Sequence, residues 1–185
     1  MARTESNILP LGTIAPEFML YDTVSGEDIS LFEARGDKAT VIFFICNHCP
    51  FVLHINETLV KIANDYLDKK VSCIAISSND ISNYPQDAPH LMRKNAEEFN
   101  YPFPYLFDES QEVALLYDAA CTPDIYVFDK NLKLVYHGQL DDSRPSNGIP
   151  VTGKDLRHAL DCLIDNRENL QDQIPSLGCG IKWKE

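Results

Sequence analysis

The chain has 185 residues, a formal net charge of −12 and a pI near 4.7, with 44% hydrophobic and 24% charged residues. This length suits one compact domain, and the composition is that of an ordinary globular protein rather than a disordered one. The acidic balance argues against binding to nucleic acid or to an anionic membrane, because both need a basic surface. We therefore expect a single domain over residues 1–185 with neither class of partner.

The N-terminal residues, MARTESNILPLG, contain no apolar run long enough for a signal peptide, and no later stretch has the length of a membrane span. We therefore expect a cytoplasmic protein. Six cysteines in a chain of this kind need not form a disulfide scaffold. A close pair of cysteines then points to catalysis or to a metal.

The first half of the chain alternates between strand and helix patterns. PEFMLYDT and SGEDISL predict a hairpin that turns at Gly26. The apolar run over residues 39–45 predicts a central strand that is covered on both faces. From Phe51 onward, apolar residues recur with a helical period, and Lys69 and Lys70 suit the C-terminal end of that helix. KVSCIAISS predicts a second buried strand, so these elements form a parallel crossover, which should be right-handed.

The second half begins with a predicted helix near residues 89–99, followed by the strand PYLFD and a short helix near residues 111–118. IYVFD and KLVYHG then predict a hairpin joined at KN. A last helix is predicted over about residues 154–167. The core should span about residues 12–167, and residues 168–185 are expected to be a tail.

Cys46 and Cys49 form a C-x-x-C motif at the junction between the predicted central strand and the helix that follows it. Only the thiolate form of a cysteine attacks a disulfide, and a free cysteine is mostly protonated at neutral pH. A helix N-terminus stabilises the anion through its unpaired N–H groups and the positive end of its dipole. We therefore predict that Cys46 is the low-pKa nucleophile. Cys49, one turn further on, would attack the mixed disulfide and release the substrate.

Three stretches give the sequence a resemblance to the thioredoxin fold: CNHC, CTPD before the hairpin, and IAPEFMLYDTVSGEDISL. The last is similar to the entry segment of peroxiredoxins. The chain also resembles peroxiredoxin-like proteins of the alkyl hydroperoxide reductase/thiol-specific antioxidant (redoxin) group that contain DDSRP and a cysteine in the C-terminal tail, here in SLGCGIKWK. The resemblance implies an α/β thioredoxin-like fold with a mixed central sheet, helices on both faces, an N-terminal β-hairpin extension and a C-terminal tail.

The resemblance also implies that the bond between Thr122 and Pro123 is cis and lies beside Cys46. The sequence departs from the thioredoxin pattern in three ways. No Trp precedes Cys46, a proline follows Cys49 instead of preceding it, and Cys121 stands directly before the Thr-Pro pair.

Four further side chains are candidates for supporting roles, and each has a simpler alternative. His48, when protonated, would stabilise the thiolate, or it is a solvated residue at the helix start. Cys121 is either a packed side chain or a third redox thiol. Arg144 either steadies an anionic thiolate or peroxide or pairs with the adjacent aspartates of its loop. Cys179 is either a mobile resolving cysteine or an exposed bystander.

The remaining cysteines and histidines are expected to be structural. Cys73 and Cys162 lie in apolar patterns and should behave as small buried hydrophobes. The other histidines show no spacing to a partner: His54, His90, His137 and His158.

Three functions remain open at this point. The first is a thiol-disulfide oxidoreductase that acts on protein or small-molecule disulfides and is reduced by a thiol donor of unknown identity. The second is a peroxiredoxin-like peroxidase acting on hydroperoxides, although Phe43 and Phe44 occupy the region where peroxiredoxins have a Thr or Ser before the attacking cysteine. The third is a non-enzymatic redox or metal-sensing module. A structural zinc site needs four ligands and the chain has no second C-x-x-C, so we expect no metal and no cofactor.

Overall fold

The computed structural model describes residues 3–185. The ten strands within this range are β1 (Arg3–Glu5), β2 (Met19–Asp22), β3 (Asp28–Ser30), β4 (Ala39–Phe44), β5 (Val71–Ser77), β6 (Tyr105–Phe107), β7 (Cys121–Thr122), β8 (Asp124–Asp129), β9 (Leu134–His137) and β10 (Leu177–Gly180). The five α-helices within this range are α1 (Leu31–Ala34), α2 (Pro50–Leu67), α3 (Pro89–Phe99), α4 (Glu112–Leu116) and α5 (Lys154–Ile164). A 3₁₀ turn covers Pro85–Asp87.

Seven strands form the main sheet, in the order β3-β2-β6-β5-β4-β8-β9. β4, β5 and β6 are parallel to one another, whereas the outer strands pair antiparallel, so the sheet is mixed. β4, α2 and β5 form the parallel crossover, and β2 with β3 forms the N-terminal hairpin. These features confirm the predicted α/β fold with its thioredoxin-like arrangement.

The central strand β4 is buried along its whole length, as its continuous apolar run predicts. Alternate side chains enter different halves of the core, because successive residues of a strand point to opposite faces. Val41 and Phe43 pack with α2, α3 and α5, whereas Ile42 and Phe44 pack with α1 and α4. Helices therefore cover both faces of the sheet, which fixes the C-terminal end of β4 rigidly.

The long helices agree closely with the sequence patterns. α3 has the predicted bounds, and α4 and α5 end a few residues earlier than predicted. α2 begins at Pro50, which suits the first turn because proline lacks the N–H that has no partner there. None of the helices within residues 3–185 is both long and apolar enough to cross a membrane.

The C-terminal segment is not the tail that the sequence predicts. Its strand β10 lies between β1 and β7 in a second, three-stranded antiparallel sheet. These strands have three, four and two residues, which is too short for an alternating pattern to identify them. The N-terminus and the C-terminal segment are thereby joined beside the strand that precedes Pro123.

Candidate active site

The two cysteines of the C-x-x-C motif lie between the end of β4 and the start of α2. Cys49 is the N-cap residue of α2, with extended backbone angles (φ −71°, ψ 122°), and Cys46 lies in the loop before it. The predicted position of Cys49 one turn inside the helix is wrong, because the helix begins only at Pro50. Cys49 rather than Cys46 therefore lies at the helix N-terminus, where the N–H groups of the first turn have no helical partner.

Thr122, the last residue of β7, lies against both sulfur atoms. The peptide bond between Thr122 and Pro123 is cis, as predicted. The Thr122 hydroxyl lies 3.5 Å from Cys46 Sγ, and the Thr122 carbonyl oxygen lies 3.1 Å from Cys49 Sγ. Cys46 is 2% exposed and Cys49 is fully buried. Thr122 thus contacts both members of the pair.

The two thiols share a hydrogen bond, which makes their ionisations unequal. The hydrogen bond from Cys46 is the main cause that lowers the pKa of Cys49 to about 5, against the opposing effect of burial. Hydrogen bonds from the Cys179 thiol, the backbone N–H of Val52 and Thr122 lower it further. The Thr122 carbonyl favours the protonated thiol, but it is outweighed by these donors.

The pKa of Cys46 moves in the opposite direction. It is raised well above its usual value because Cys46 donates to Cys49, because it is buried, and because the carboxylate of Asp87 is near. The lower pKa of the pair therefore belongs to Cys49, whereas the sequence predicts it for Cys46. The main reason is the hydrogen bond from Cys46, to which the backbone N–H of Val52 in the first helical turn adds.

His48 points at a carboxylate rather than at the thiols. Its Nδ1 lies 2.7 Å from Asp87 Oδ2, and its ring stacks on Tyr84 with centroids 5.6 Å apart. Asp87 is fully buried and accepts hydrogen bonds from the backbone N–H of Asn47 and from the Asn79 side chain, both at 2.8 Å. Asp87, at the end of the 3₁₀ turn, thus holds the C-x-x-C loop through its contacts with Asn47 and His48.

Asp87 is a site residue that the sequence analysis missed. It lies far from the motif in sequence, in a loop without a recognised pattern, so no local signal identifies it. One ligand atom each from Cys46, His48 and Asp87 lies within 4.8 Å of the others, so the three could together contact a cation. The contact between His48 and Asp87 accounts for two of the three groups without an ion.

Cys121 and Cys179 lie on neighbouring strands but face different sides of the small sheet. Cys179 is directly opposite Thr122, and Cys121 is directly opposite Gly180. Directly opposed residues share a face and successive residues alternate, so Cys179 faces the active-site pair and Cys121 faces away. Cys121 is fully buried, and its Sγ lies 3.6 Å from the carbonyl oxygen of Pro123.

Cys179 is neither mobile nor exposed, in contrast to both expectations for the predicted tail. Its side chain is 4% exposed and belongs to the same core cluster as Cys46 and Cys49. β10 also packs on α2. The small sheet therefore brings a third thiol to the C-x-x-C pair.

Arg144 is directed into its own loop. Its guanidinium donates to the carbonyl oxygens of Asp141 and Ser143, at 2.6 and 2.7 Å, and to the Gln139 side chain. It forms neither of the contacts proposed from the sequence, since it bonds to backbone oxygens instead of pairing with the aspartate side chains. Arg144 and Pro123 line the same small cavity.

Packing accounts for Cys73, Cys162, His137 and His158. Burial raises the pKa of Cys73 to about 12, and Cys162 is 1% exposed with its Sγ 3.4 Å from the ring of His158. His137 is buried and lies 2.9 Å from the carboxylate of Asp124. These groups agree with the structural roles predicted for them.

Residues 11–137 match the family model described as AhpC/TSA family. The chain belongs to the AhpC/TSA family. It is 59% identical to an uncharacterized conserved protein from Geobacillus kaustophilus, with a TM-score of 0.98 and coverage of 100% of this chain and 97% of that one. It is 44% identical to a hypothetical protein from Sinorhizobium meliloti, with a TM-score of 0.95 and coverage of 98% of both chains. No curated protein matches the chain.

More distant structures share the fold alone. A peroxidoxin from Mycobacterium tuberculosis has a TM-score of 0.64 at 19% identity, over 85% of this chain and 97% of that one. The thioredoxin domain of a thiol-disulfide oxidoreductase from Bacteroides vulgatus has a TM-score of 0.60 at 22% identity, over 70% of this chain and 89% of that one. The family and the fold together support a thiol-based redox activity, either oxidoreductase or peroxidase.

Proposed function

We propose that the protein is a thiol-disulfide oxidoreductase whose redox centre is the Cys46/Cys49 pair. One observation carries the proposal: the sulfur atoms of Cys46 and Cys49, before and at the start of α2, lie 3.5 and 3.1 Å from oxygens of Thr122, whose bond to Pro123 is cis. The pair has one low pKa and one high pKa, so at neutral pH it holds one thiolate and one proton. This is the protonation state that an exchange reaction needs.

The first step is the attack on a substrate disulfide by Cys46, the residue of the pair that keeps some exposure to solvent. As Cys46 attacks, its proton passes along the existing hydrogen bond to the thiolate of Cys49. The substrate's disulfide bond breaks, a mixed disulfide forms on Cys46, and one substrate thiolate leaves. Cys49 then attacks the Cys46 sulfur, its proton goes to the second departing thiolate, and the pair ends as a disulfide.

A thiol donor must return the pair to its reduced form. The substrate is a protein or small-molecule disulfide, and the donor is a cellular dithiol or small thiol. We place this cycle in a reducing compartment, the cytoplasm, where such donors are maintained.

A thiol peroxidase activity is the second candidate, favoured by membership in the AhpC/TSA family. In that reaction the thiolate attacks a hydroperoxide, becomes a sulfenic acid and is resolved by a second cysteine with loss of water. Against this candidate, the residue three positions before Cys46 is Phe43, which is fully buried and cannot donate a hydrogen bond to a peroxide. A non-enzymatic redox or metal-sensing module is the third possibility from the sequence.

One comparison of rates tests the proposal. The reduced protein is mixed with insulin disulfide and, separately, with hydrogen peroxide, and thiol consumption is followed in each. We expect the insulin reaction to be faster and to be lost in both Cys46→Ser and Cys49→Ser, with Cys162→Ser as the matched control that retains it. A fast peroxide reaction with no reduction of insulin would favour the peroxidase instead, and no reaction with either would favour the non-enzymatic module.

A further inference from the structure

The strand that carries Cys179 is aligned with the residue that contacts both active-site sulfurs. In the pairing of β10 with β7, Cys179 lies directly opposite Thr122. Opposed residues in an antiparallel pair point to the same face of the sheet. The Cys179 side chain therefore points to the side on which Thr122 meets Cys46 and Cys49.

Two other thiols, Cys46 and Cys179, lie near Cys49. The Thr122 carbonyl oxygen lies 3.1 Å from Cys49 Sγ, and Thr122 is the residue directly opposite Cys179. All three side chains are at least nine-tenths buried within one apolar cluster. Both thiols also lower the pKa of Cys49 by hydrogen bonding, so Cys46 and Cys179 are the candidate partners for a disulfide bond to Cys49.

The position of β10 is fixed by backbone contacts on both sides. A Cβ atom on Gly178 would lie 2.0 Å from the carbonyl oxygen of Thr122, so only glycine permits this approach of the two strands. The Ser176 N–H donates to the Ser6 hydroxyl at 2.9 Å, and the Lys182 N–H donates to the Asn79 side chain at 2.8 Å. Cys179 is therefore held against Cys49 before any reaction begins.

We propose that Cys179 is a third redox thiol, which exchanges with the Cys46–Cys49 disulfide so that the oxidised protein divides between Cys46–Cys49 and Cys49–Cys179. This inference rests on the proposed function, because the Cys46–Cys49 disulfide is its starting point. In this proposal Cys179 reacts with Cys49, and the Cys179 sulfur is the attacking atom.

The exchange needs no external reagent. The Cys179 sulfur attacks Cys49 Sγ, the Cys46–Cys49 bond breaks, and Cys46 leaves as a thiolate. The proton of Cys179 goes to Cys46, so the number of disulfides, thiols and protons is unchanged. The oxidising equivalent moves to the Cys49–Cys179 pair, and Cys46 is again a free thiol.

Two measurable consequences follow from an internal equilibrium of this kind. The ratio of the two disulfides is independent of the ambient redox potential, because their interconversion involves no net oxidation. The second disulfide also stabilises the oxidised state, and the equilibrium constant for oxidation rises by a factor of one plus that ratio. For equal populations, the loss of Cys179 would lower this constant about twofold.

The test is a redox titration of the full chain in glutathione buffers, with acid quenching, alkylation of free thiols and tryptic digestion without reduction. Trypsin leaves Cys46 and Cys49 in one peptide between Lys38 and Lys61, and leaves Cys179 in a separate peptide after Arg167. The Cys46–Cys49 disulfide is then a loop within one peptide. The Cys49–Cys179 disulfide joins two peptides, with the alkyl group on Cys46. We expect both species, at one fixed ratio across all potentials.

Two variants control the titration. Cys179→Ser keeps a hydroxyl donor near Cys49 but cannot form a disulfide, so we expect only the looped peptide and a lower equilibrium constant for oxidation. Cys121→Ser changes the thiol on the neighbouring strand that faces away, and we expect the ratio to be unchanged.

The outcomes separate this inference from the proposed function. If insulin is reduced and the looped peptide forms while Cys179 stays fully alkylated at every potential, the inference is overturned and the proposed function stands. If no Cys46–Cys49 disulfide forms and insulin is not reduced, the proposed function fails and the exchange fails with it. A ratio that changes with potential would also overturn the exchange, since two isomers in internal equilibrium keep one ratio at every potential.

Discussion

Two regions of the molecule meet at Cys49, and they are built in different ways. The junction between β4 and α2 is one continuous stretch of chain, with a buried strand, a short loop and an eighteen-residue helix. The small sheet combines β1, β7 and β10, which come from the two ends and the middle of the chain. The junction supplies the C-x-x-C pair, and the small sheet supplies Thr122 and Cys179. Local sequence therefore forms the dithiol, whereas the pairing of strands from distant parts of the chain determines which residues surround it.

The largest effect on activity is expected from substitution of the two cysteines at the junction between β4 and α2. Cys46→Ser and Cys49→Ser should each lower insulin reduction by at least about a hundredfold, because the remaining thiol cannot close the disulfide. The two variants should differ in what they trap. Cys49→Ser should accumulate a mixed disulfide with substrate at Cys46, which mass spectrometry of the quenched reaction detects. A mixed disulfide that accumulates on Cys49 in Cys46→Ser instead would reverse the assigned roles.

The second effect probes how the small sheet is held. Gly178→Ala should destabilise the protein by about 1–3 kcal/mol, the usual cost of overpacking, because its Cβ would meet the Thr122 carbonyl at 2.0 Å. Gly180→Ala on the same strand is the matched control, since its Cβ would meet only the Thr4 hydroxyl at 3.1 Å. Urea unfolding of both variants measures the difference. Equal stabilities would show that β10 does not need its close approach to β7.

The same contrast explains what could be predicted from the sequence. The buried run of β4 and the periodic faces of α2 and α3 are long enough to identify each element. The Cys-x-x-Cys and Thr-Pro motifs identify the two sides of the site. Each of these signals lies within one contiguous segment.

The features that were missed depend on contacts between distant segments. β7 has only two residues, and β10 is identified by its pairing with β1 and β7 rather than by its own composition. Asp87 reaches Asn47 and His48 from a loop that no pattern connects to them. The N-cap position of Cys49 depends on where the helix begins, and sequence patterns fix such ends only to within a few residues.

The third effect is a pH dependence that tests which cysteine of the junction is ionised. The ultraviolet absorbance of the thiolate should rise with a midpoint near pH 5 in wild type and should be lost in Cys49→Ser. Cys46→Ala should raise the midpoint, because the hydrogen bond from Cys46 is the main cause of the low pKa. Cys46→Ser retains a donor and should raise it less. A midpoint that disappears in Cys46→Ser but persists in Cys49→Ser would place the thiolate on Cys46.

The same pKa predicts how stability depends on pH. The folded pKa of Cys49 lies below the value of about 8.5 for a cysteine in an unfolded chain. Ionised Cys49 therefore contributes stability that is fully present above about pH 8.5 and is lost as the pH falls through about 5. The difference in unfolding free energy between wild type and Cys49→Ser should grow between these two pH values. A difference that does not change with pH would contradict the low pKa.

A smaller effect is expected from the loop that pins the junction. Asp87→Asn removes a negative charge that raises the pKa of Cys46, so the pKa of Cys46 should fall and its alkylation rate at neutral pH should rise severalfold. Asp68→Asn, at the far end of α2, removes the same charge without this proximity and should leave the rate unchanged. Alkylation followed by fragmentation of the peptide that contains both cysteines measures Cys46 separately from Cys49. A slower reaction in Asp87→Asn would show that Asp87 acts on Cys46 by position rather than by charge.

The smallest effect is expected at Cys121, and it tests whether the face of the small sheet decides which thiols react. Cys121 precedes Thr122 directly in the chain, yet it points away from the pair, whereas Cys179 comes from the distant end and points towards it. Cys121→Ser keeps a donor for the Pro123 carbonyl, which the thiol meets at 3.6 Å. The rate of insulin reduction by this variant should therefore stay within about twofold of the wild-type rate, because the surroundings of the Cys46/Cys49 pair are preserved. A large loss of rate would mean that proximity along the chain outweighs strand register in assembling this site.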